Sequence, residues 1–230
     1  YDVENIELPD PPENASKQTV FAIPNKRNFA EMTDRDRREF KWAYQACTSF
    51  ADAQVGKVLD TLDRLELWEN TLVLLIGDHG YHLGEHNWWN KSTLYELGAN
   101  APMMMWVPGG KGMGASTDSV VEFVDIYPTL IDYCGLQAPH KLAGKSLRPV
   151  LDAPDQQWKN AGYTQVKRGG FSVSTGTWRY TEWGENAAKG IELYNHDEDP
   201  LEYFNLAENP EYKTIRQQMS LLLREGFLEL

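Results

Sequence analysis

Basic residues are in short supply. Lys and Arg total 22 against 34 Asp and Glu, a formal net charge of −12. Neutralising a phosphate backbone needs a basic face, so this balance argues against a nucleic-acid partner. A local cluster of cations can still bind a smaller anion. Long apolar runs are absent: none approaches the roughly 18–20 residues that a membrane span requires, so no membrane span is expected. No signal-peptide pattern is visible at Tyr1, and a start at Tyr rather than Met leaves the true beginning open. Cysteine is limited to Cys47 and Cys134. One disulfide is arithmetically allowed, but both lie on apolar faces, where buried free thiols are common, so unpaired core residues are expected. Asn14-Ala-Ser16 and Asn90-Lys-Ser92 match the glycosylation pattern and read as chance matches. What is present is 230 residues at 41% hydrophobic content, enough for a substantial core or a core plus a small lobe.

Histidine is scarce too, yet three of the five cluster at His79, His82 and His86. They follow Thr71-Leu-Val-Leu-Leu-Ile76, a run too short for a helix that reads as a fully buried parallel strand. Gly77 and Gly80 bracket Asp78 and His79 in a turn. A carboxylate and an imidazole therefore stand at the C-terminal end of a strand, where open α/β sheets place ligands. Glu85, His86 and Lys91 follow within eleven residues of the turn. Glu85 reads as a local loop stabiliser. Trp88, Trp89 and Tyr95 supply aromatic surface, suited equally to packing and to stacking on a carbohydrate ring.

Gly77-Asp78-His79-Gly80, Leu83-Gly84-Glu85-His86, Trp89 and Lys91 keep one order and spacing over the fifteen residues 77–91. This stretch resembles the second metal-and-sulfate segment of the type I, formylglycine-dependent sulfatases, and within them the iduronate-2-sulfatase-like branch of the alkaline-phosphatase superfamily. The resemblance implies that Asp78 and His79 are metal ligands and that Lys91 contacts the sulfate and its leaving oxygen. The implied metal is calcium. Because a hard cation prefers oxygen ligands, the imidazole keeps manganese or zinc open. Further segments carry the same resemblance: Val124-Asp-Ile-Tyr-Pro-Thr-Leu130, Gly144-Lys-Ser-Leu-Arg-Pro-Val-Leu151, and Leu193-Tyr194 with Asp199-Pro200, Glu202 and Asn205-Leu206.

Residues 1–34 read as an irregular connecting segment, with Leu8–Pro12 and Ile23–Arg27 broken by proline. Residues 35–154 read as the C-terminal part of an α/β sulfatase core, a mostly parallel sheet with flanking helices. Thr33 or Asp34 caps a helix reaching about Leu65, with Phe40, Tyr44, Cys47, Ala51, Val55, Val58, Leu62 and Leu65 as one buried stripe. Met103–Met105 lie in a second core strand as filler. Asp118 or Ser119 caps a helix ending near Gly135. Residues 155–230 read as an α+β subdomain: an antiparallel meander of four short strands, a polar turn at 195–200, and a helix from about Pro210. Lys167 and Arg168, between two of these strands, are the candidates for gripping a uronate carboxylate or second sulfate, with His86 and Trp89 the other substrate-binding candidates.

The family's nucleophile is a formylglycine made from the Cys or Ser of a C/S-x-P/A-x-R motif. Neither cysteine and no serine here has that context, and the usual Asp-Asp pair near the first strand is missing. The chain is therefore expected to be the C-terminal portion of a sulfatase, inactive alone, needing an N-terminal segment or companion chain that carries the formylglycine. Its substrate would be a sulfated carbohydrate, a uronate 2-sulfate or similar glycan unit, in a periplasmic, secreted or lysosomal setting. Two other readings stand beside this one: a metal-dependent phosphodiesterase or phosphonate monoesterase of the same superfamily, and a non-catalytic module binding sulfated glycans.

Overall fold

The computed structural model describes residues 1–17, 19–24 and 29–228. They form two compact units. The first comprises Tyr1–Ala15, Ile23–Ser92 and Leu97–Gly109; the second comprises Ser16–Ala22, Thr93–Glu96 and Gly110–Leu230.

The first unit is built on a long helix, α1 (Asp34–Arg64), whose start matches its sequence signal. The Thr33 hydroxyl accepts from the Asp36 N–H at 3.2 Å, and the Asp36 carboxylate accepts from the Thr33 N–H at 2.8 Å. This reciprocal capping box satisfies two otherwise orphaned donors. Among its described residues the N-terminal segment has one 3-10 turn, Val3–Asn5. It is tied to α1 by side chains: Arg38 donates to the Ile6 carbonyl and Lys41 to that of Glu7. Of the proline-broken stretch Ile23–Arg27, Asn25, Lys26 and Arg27 lie outside the described residues.

The expected buried stripe of α1 is not buried. No residue of the helix is fully enclosed, and Tyr44 and Val58 of the stripe are 39% and 62% exposed. The 3.6-residue periodicity is real, but the described residues supply no layer to cover it. Cys47 and Cys134 are likewise free yet exposed, a correction to the core placement that has the same cause.

The strand β1 (Val73–Ile76) corrects the expectation of a fully buried parallel strand. It pairs antiparallel with β2 (Met103–Trp106), in the register Val73↔Trp106 to Ile76↔Met103, as a two-stranded sheet. Leu75, Ile76 and Met104 are exposed, so the methionines are not core filler throughout. A continuous apolar run signals cover on both faces, and one neighbouring strand leaves those faces open. Between the two strands the chain passes through α2 (Glu96–Ala99).

In the second unit the helix expected from Asp118 begins later. A 3-10 turn, Phe123–Asp125, leads into α3 (Ile126–Tyr133). Glu122 and Asp125 form the cap, because the Glu122 carboxylate is held there by Lys159 at 3.0 Å and by the Tyr163 N–H at 2.9 Å. Asp125, fully buried, accepts from the Lys145 N–H at 2.8 Å and from the Lys159 ammonium at 2.6 Å. Thr129 accepts from the Leu147 N–H at 2.8 Å. The Val124–Leu130 and Gly144–Leu151 segments are thus locked together by one carboxylate and one hydroxyl, just before α4 (Arg148–Asp152). These bonds lie within the compact unit that holds 110–154 together with the C-terminal sheet.

That sheet is the expected meander: β3 (Gly162–Val166), β4 (Gly170–Ser174), β5 (Trp178–Trp183) and β6 (Ile191–Asn195), antiparallel and in sequence order. Val173, Tyr180 and Leu193 stand opposite one another across three strands. They form a core with Ala161, Ala207, Met219 and Leu223, the last two from the terminal helix α5 (Lys213–Leu228). Gly226 lets α5 approach β3, since a Cβ there would come within 2.1 Å of the Tyr163 ring. The other face of the sheet buries polar groups. Glu202 accepts from the His196 ring at 2.8 Å and from the Glu96 N–H at 2.6 Å, and its carboxylate forms an ion pair with the Arg179 guanidinium, Nε to Oε1 2.8 Å. Arg179 also pairs with Glu96. The 195–200 turn is structural: Asp199 accepts from the Phe204 N–H at 2.7 Å.

Candidate active site

The turn after β1 is held at both ends. The Gly77 N–H donates to the Pro102 carbonyl at 3.0 Å, and the Gly80 N–H to that of Gly98 at 3.2 Å. A Cβ on Gly80 would lie 2.1 Å from the Leu97 carbonyl oxygen and 2.6 Å from that of Asn100, so only glycine allows this approach. Between these anchors the Asp78 side chain is 85% exposed.

The His79 Nδ1 lies 2.8 Å from the Gly80 carbonyl oxygen. A carbonyl only accepts, so Nδ1 carries the hydrogen and Nε2 presents a lone pair. Nε2 is shielded from solvent, has no hydrogen-bond partner, and faces the Asp78 Oδ2 at 3.1 Å. Two electron-pair donors facing each other at this separation need a proton or a cation, and a backbone carbonyl on the other ring nitrogen, here that of the next residue, is the arrangement metal-bound histidines use. The pair fits a divalent metal. No cluster of three or more His, Cys, Asp or Glu able to hold a metal occurs among the described residues.

After the turn the chain doubles back on itself. The His82 N–H donates to the Asn90 carbonyl and the Gly84 N–H to that of Trp88, both at 3.0 Å, in an antiparallel pairing. Lys91 follows the 82/90 pair and is thereby returned beside the residues that follow His79; its side chain is exposed. Glu85 plays the local part read from the sequence, accepting from the Leu83 N–H at 2.7 Å. His82 is fully buried; burial, then the neighbouring His86, pull its pKa down to about 4, so it is neutral. His86 is also buried, at a φ of +55°, its ring edge-on to that of His82 at 5.9 Å. Trp89 is 2% exposed, edge-on to Phe40 at 5.5 Å and pressed against Gly84. The structure thus places both of these substrate-binding candidates in the packed interior of the loop.

Lys167 and Arg168 lie in the second unit, in the β3–β4 turn. The Arg168 guanidinium donates to the Phe21 and Ala22 carbonyls, each at 3.2 Å, and covers the Trp183 ring at 5.6 Å. Burial lowers its pKa. Its role is to pin the 19–22 segment, which leaves Lys167 as the exposed cation of the pair. Sequence reasoning read Trp88 as aromatic surface and Asn90 as a chance glycosylation match and missed that both grip the Lys91 main chain; the only signal for that role was adjacency to a lysine. It also missed the Glu202–Arg179–His196 network, although Glu202 belonged to a recognised motif.

The architecture matches solved hydrolases. One, a 2-O GAG sulfatase, superposes with a TM-score of 0.79 at 27% identity, over 96% of this chain and 52% of that one. The sulfatase family model matches residues 14–136, and the N-sulphoglucosamine sulphohydrolase C-terminal model matches residues 84–226. The chain belongs to the sulfatase family, within the alkaline-phosphatase superfamily. Curated relatives include a sulfatase of Formosa agariphila, 33% identical over 79% of this chain and 35% of the relative, and mouse arylsulfatase K, 30% identical over 83% and 37%. The chain spans about a third of the length of these relatives.

Proposed function

We propose that this chain is part of a sulfatase that removes sulfate from a sulfated carbohydrate, contributing one half of the metal site and the cation at the leaving group. The carrying observation is the Asp78–His79 pair, two electron-pair donors 3.1 Å apart with the histidine tautomer fixed by the Gly80 carbonyl. The uronate 2-sulfate class is supported by the sequence pattern and by likeness to a 2-O GAG sulfatase. Matches to two sulfatase family models favour sulfate over phosphonate or phosphodiester substrates.

Asp78 and His79 would hold the metal, calcium with manganese or zinc as alternatives. When bound, it supplies positive charge against the sulfate oxygens. The Gly80 carbonyl keeps the Nδ1 proton in place, so Nε2 stays available. Lys91 acts at the other end of the ester. As the sulfur–oxygen bond breaks, its electron pair stays on the sugar oxygen, and the Lys91 ammonium neutralises that oxygen by delivering a proton. The nucleophile, a formylglycine, and the remaining metal ligands come from sequence outside this chain, either an N-terminal segment or a companion chain. That sequence would also cover the open faces of α1, β1 and β2. Such an enzyme would work in the periplasm, outside the cell or in a lysosome.

The test is the intact mass of every species in the purified active sample, with peptide mapping and metal analysis. The reading expects a C/S-x-P/A-x-R peptide shifted to formylglycine, with turnover of a sulfated uronate oligosaccharide lost in Asp78→Asn, His79→Ala and Lys91→Ala. A single folded 26.3 kDa monomer that binds sulfated oligosaccharide without turnover would sink it in favour of a binding module.

A further inference from the structure

Lys91 is an exposed, flexible side chain asked to meet one oxygen atom. A long side chain loses several rotors' freedom on ordering, so its usefulness depends on how firmly its main chain is held. Both main-chain polar groups of Lys91 are bonded by side chains of adjacent loop residues. Its N–H donates to the Asn90 Oδ1 at 2.9 Å, and its carbonyl accepts from the Trp88 indole Nε1 at 3.0 Å.

Trp88 is itself fixed on several sides. It is buried, and its ring meets Phe29 edge-on at 5.2 Å, at an interplanar angle of 76°. Its N–H donates to the Glu85 carbonyl and its carbonyl accepts from the Gly84 N–H, both at 3.0 Å. The next step of the chain, Ser92, has a φ of +73°, so the backbone turns sharply just past the clamp. The tryptophan that carries the family resemblance is Trp89, and Trp88 is no part of that pattern.

We propose that Trp88 is a positioning residue for Lys91: its indole N–H, braced by Phe29 and paired with the Asn90 amide, sets where the Lys91 ammonium meets the departing oxygen. The proposal rests on the reading of Lys91 as the leaving-group cation. It concerns orientation, not folding, because the indole N–H is a small part of a side chain whose remaining surface serves packing.

The experiment uses the complete active enzyme and compares two substrates. A sugar sulfate has a poor leaving group and depends on Lys91; an aryl sulfate carries its own stable leaving anion. Trp88→Phe keeps a ring against Phe29 and removes the indole donor. Its kcat on the sugar sulfate is expected to fall roughly tenfold further than on the aryl sulfate, since small displacements of a reacting group are costly. Asn90→Ala, which leaves Trp88 packing intact, is expected to show the same bias. In Lys91→Ala the bias is already complete, so adding Trp88→Phe should give no further discrimination. A Trp88→Phe loss equal on both substrates, or one that multiplies with Lys91→Ala, overturns the positioning role alone. Lys91→Ala with unchanged sugar-sulfate turnover overturns the reading of Lys91 and the inference with it.

Discussion

Glu202 has a φ of +60°, a backbone region that non-glycine residues occupy at a cost. It is held there in the interior of the second unit by two donors, His196 and the Glu96 N–H, and by an ion pair with Arg179. Glu202→Gly would relax the backbone but leave those donors without their acceptor, each costing about 1–3 kcal/mol. A net destabilisation is expected, read as a lower urea midpoint, whereas glycine is the usual remedy at such a φ. His82 and His196 give opposite pH responses. Burial pulls the His196 pKa down, but its bond to Glu202, that residue's charge and the Gly176 carbonyl push harder, and the net value is raised above 6.5. Its stabilisation is complete below 6.5 and is lost as pH rises through the folded value. His82, held at about 4 by burial and His86, favours the folded state until the unfolded chain protonates. That contribution, about 3 kcal/mol, is lost as pH falls from 6.5 toward 4. Urea midpoints across pH should therefore show an acid limb that His82→Gln flattens and an alkaline limb that His196→Gln flattens.

At the scale of elements, the turn between β1 and β2 depends on one close approach. Gly80→Ala forces a methyl group onto the Leu97 carbonyl oxygen. The turn must open, His79 loses the Gly80 carbonyl that fixes its tautomer, and bound metal is expected to fall at least tenfold, measured by elemental analysis of the purified enzyme. The elements most legible in the sequence were those whose signals are local. The Thr33 cap, the four-strand meander and the helix after Pro210 depend on residues a few positions apart, and each was found where expected. The start of α3 was misplaced because Glu122 is drawn into its cap by Lys159 and Tyr163, some forty residues later. The surroundings of β1 were misread for the same reason: an apolar run says that a strand wants cover, and not which strand lies beside it. The site divides likewise. The Asp78–His79 pairing followed from adjacency, whereas the burial of Trp89 depended on Phe40, 49 residues earlier in the sequence.

Across the whole molecule, the apolar surface is unevenly managed. The second unit encloses its core between the meander and α5. In the first unit, Phe50 and Val58 of α1 and Leu75, Ile76 and Met104 of the small sheet are open to solvent. Expressed by itself, the chain should bind a hydrophobic dye and self-associate as concentration rises, seen by sedimentation, and both effects should diminish when the rest of a sulfatase is supplied. The −12 net charge slows such association without removing its cause. The exposed stripe of α1 also bears on how much of this chain a cell can keep. Chaperones and proteases survey apolar surface of this kind, and abundance follows what they release. On the proposed reading, in which further sulfatase sequence lies over α1, the level of the chain would be set less by its own synthesis than by the supply of that cover, a form of stoichiometric control written into one helix face.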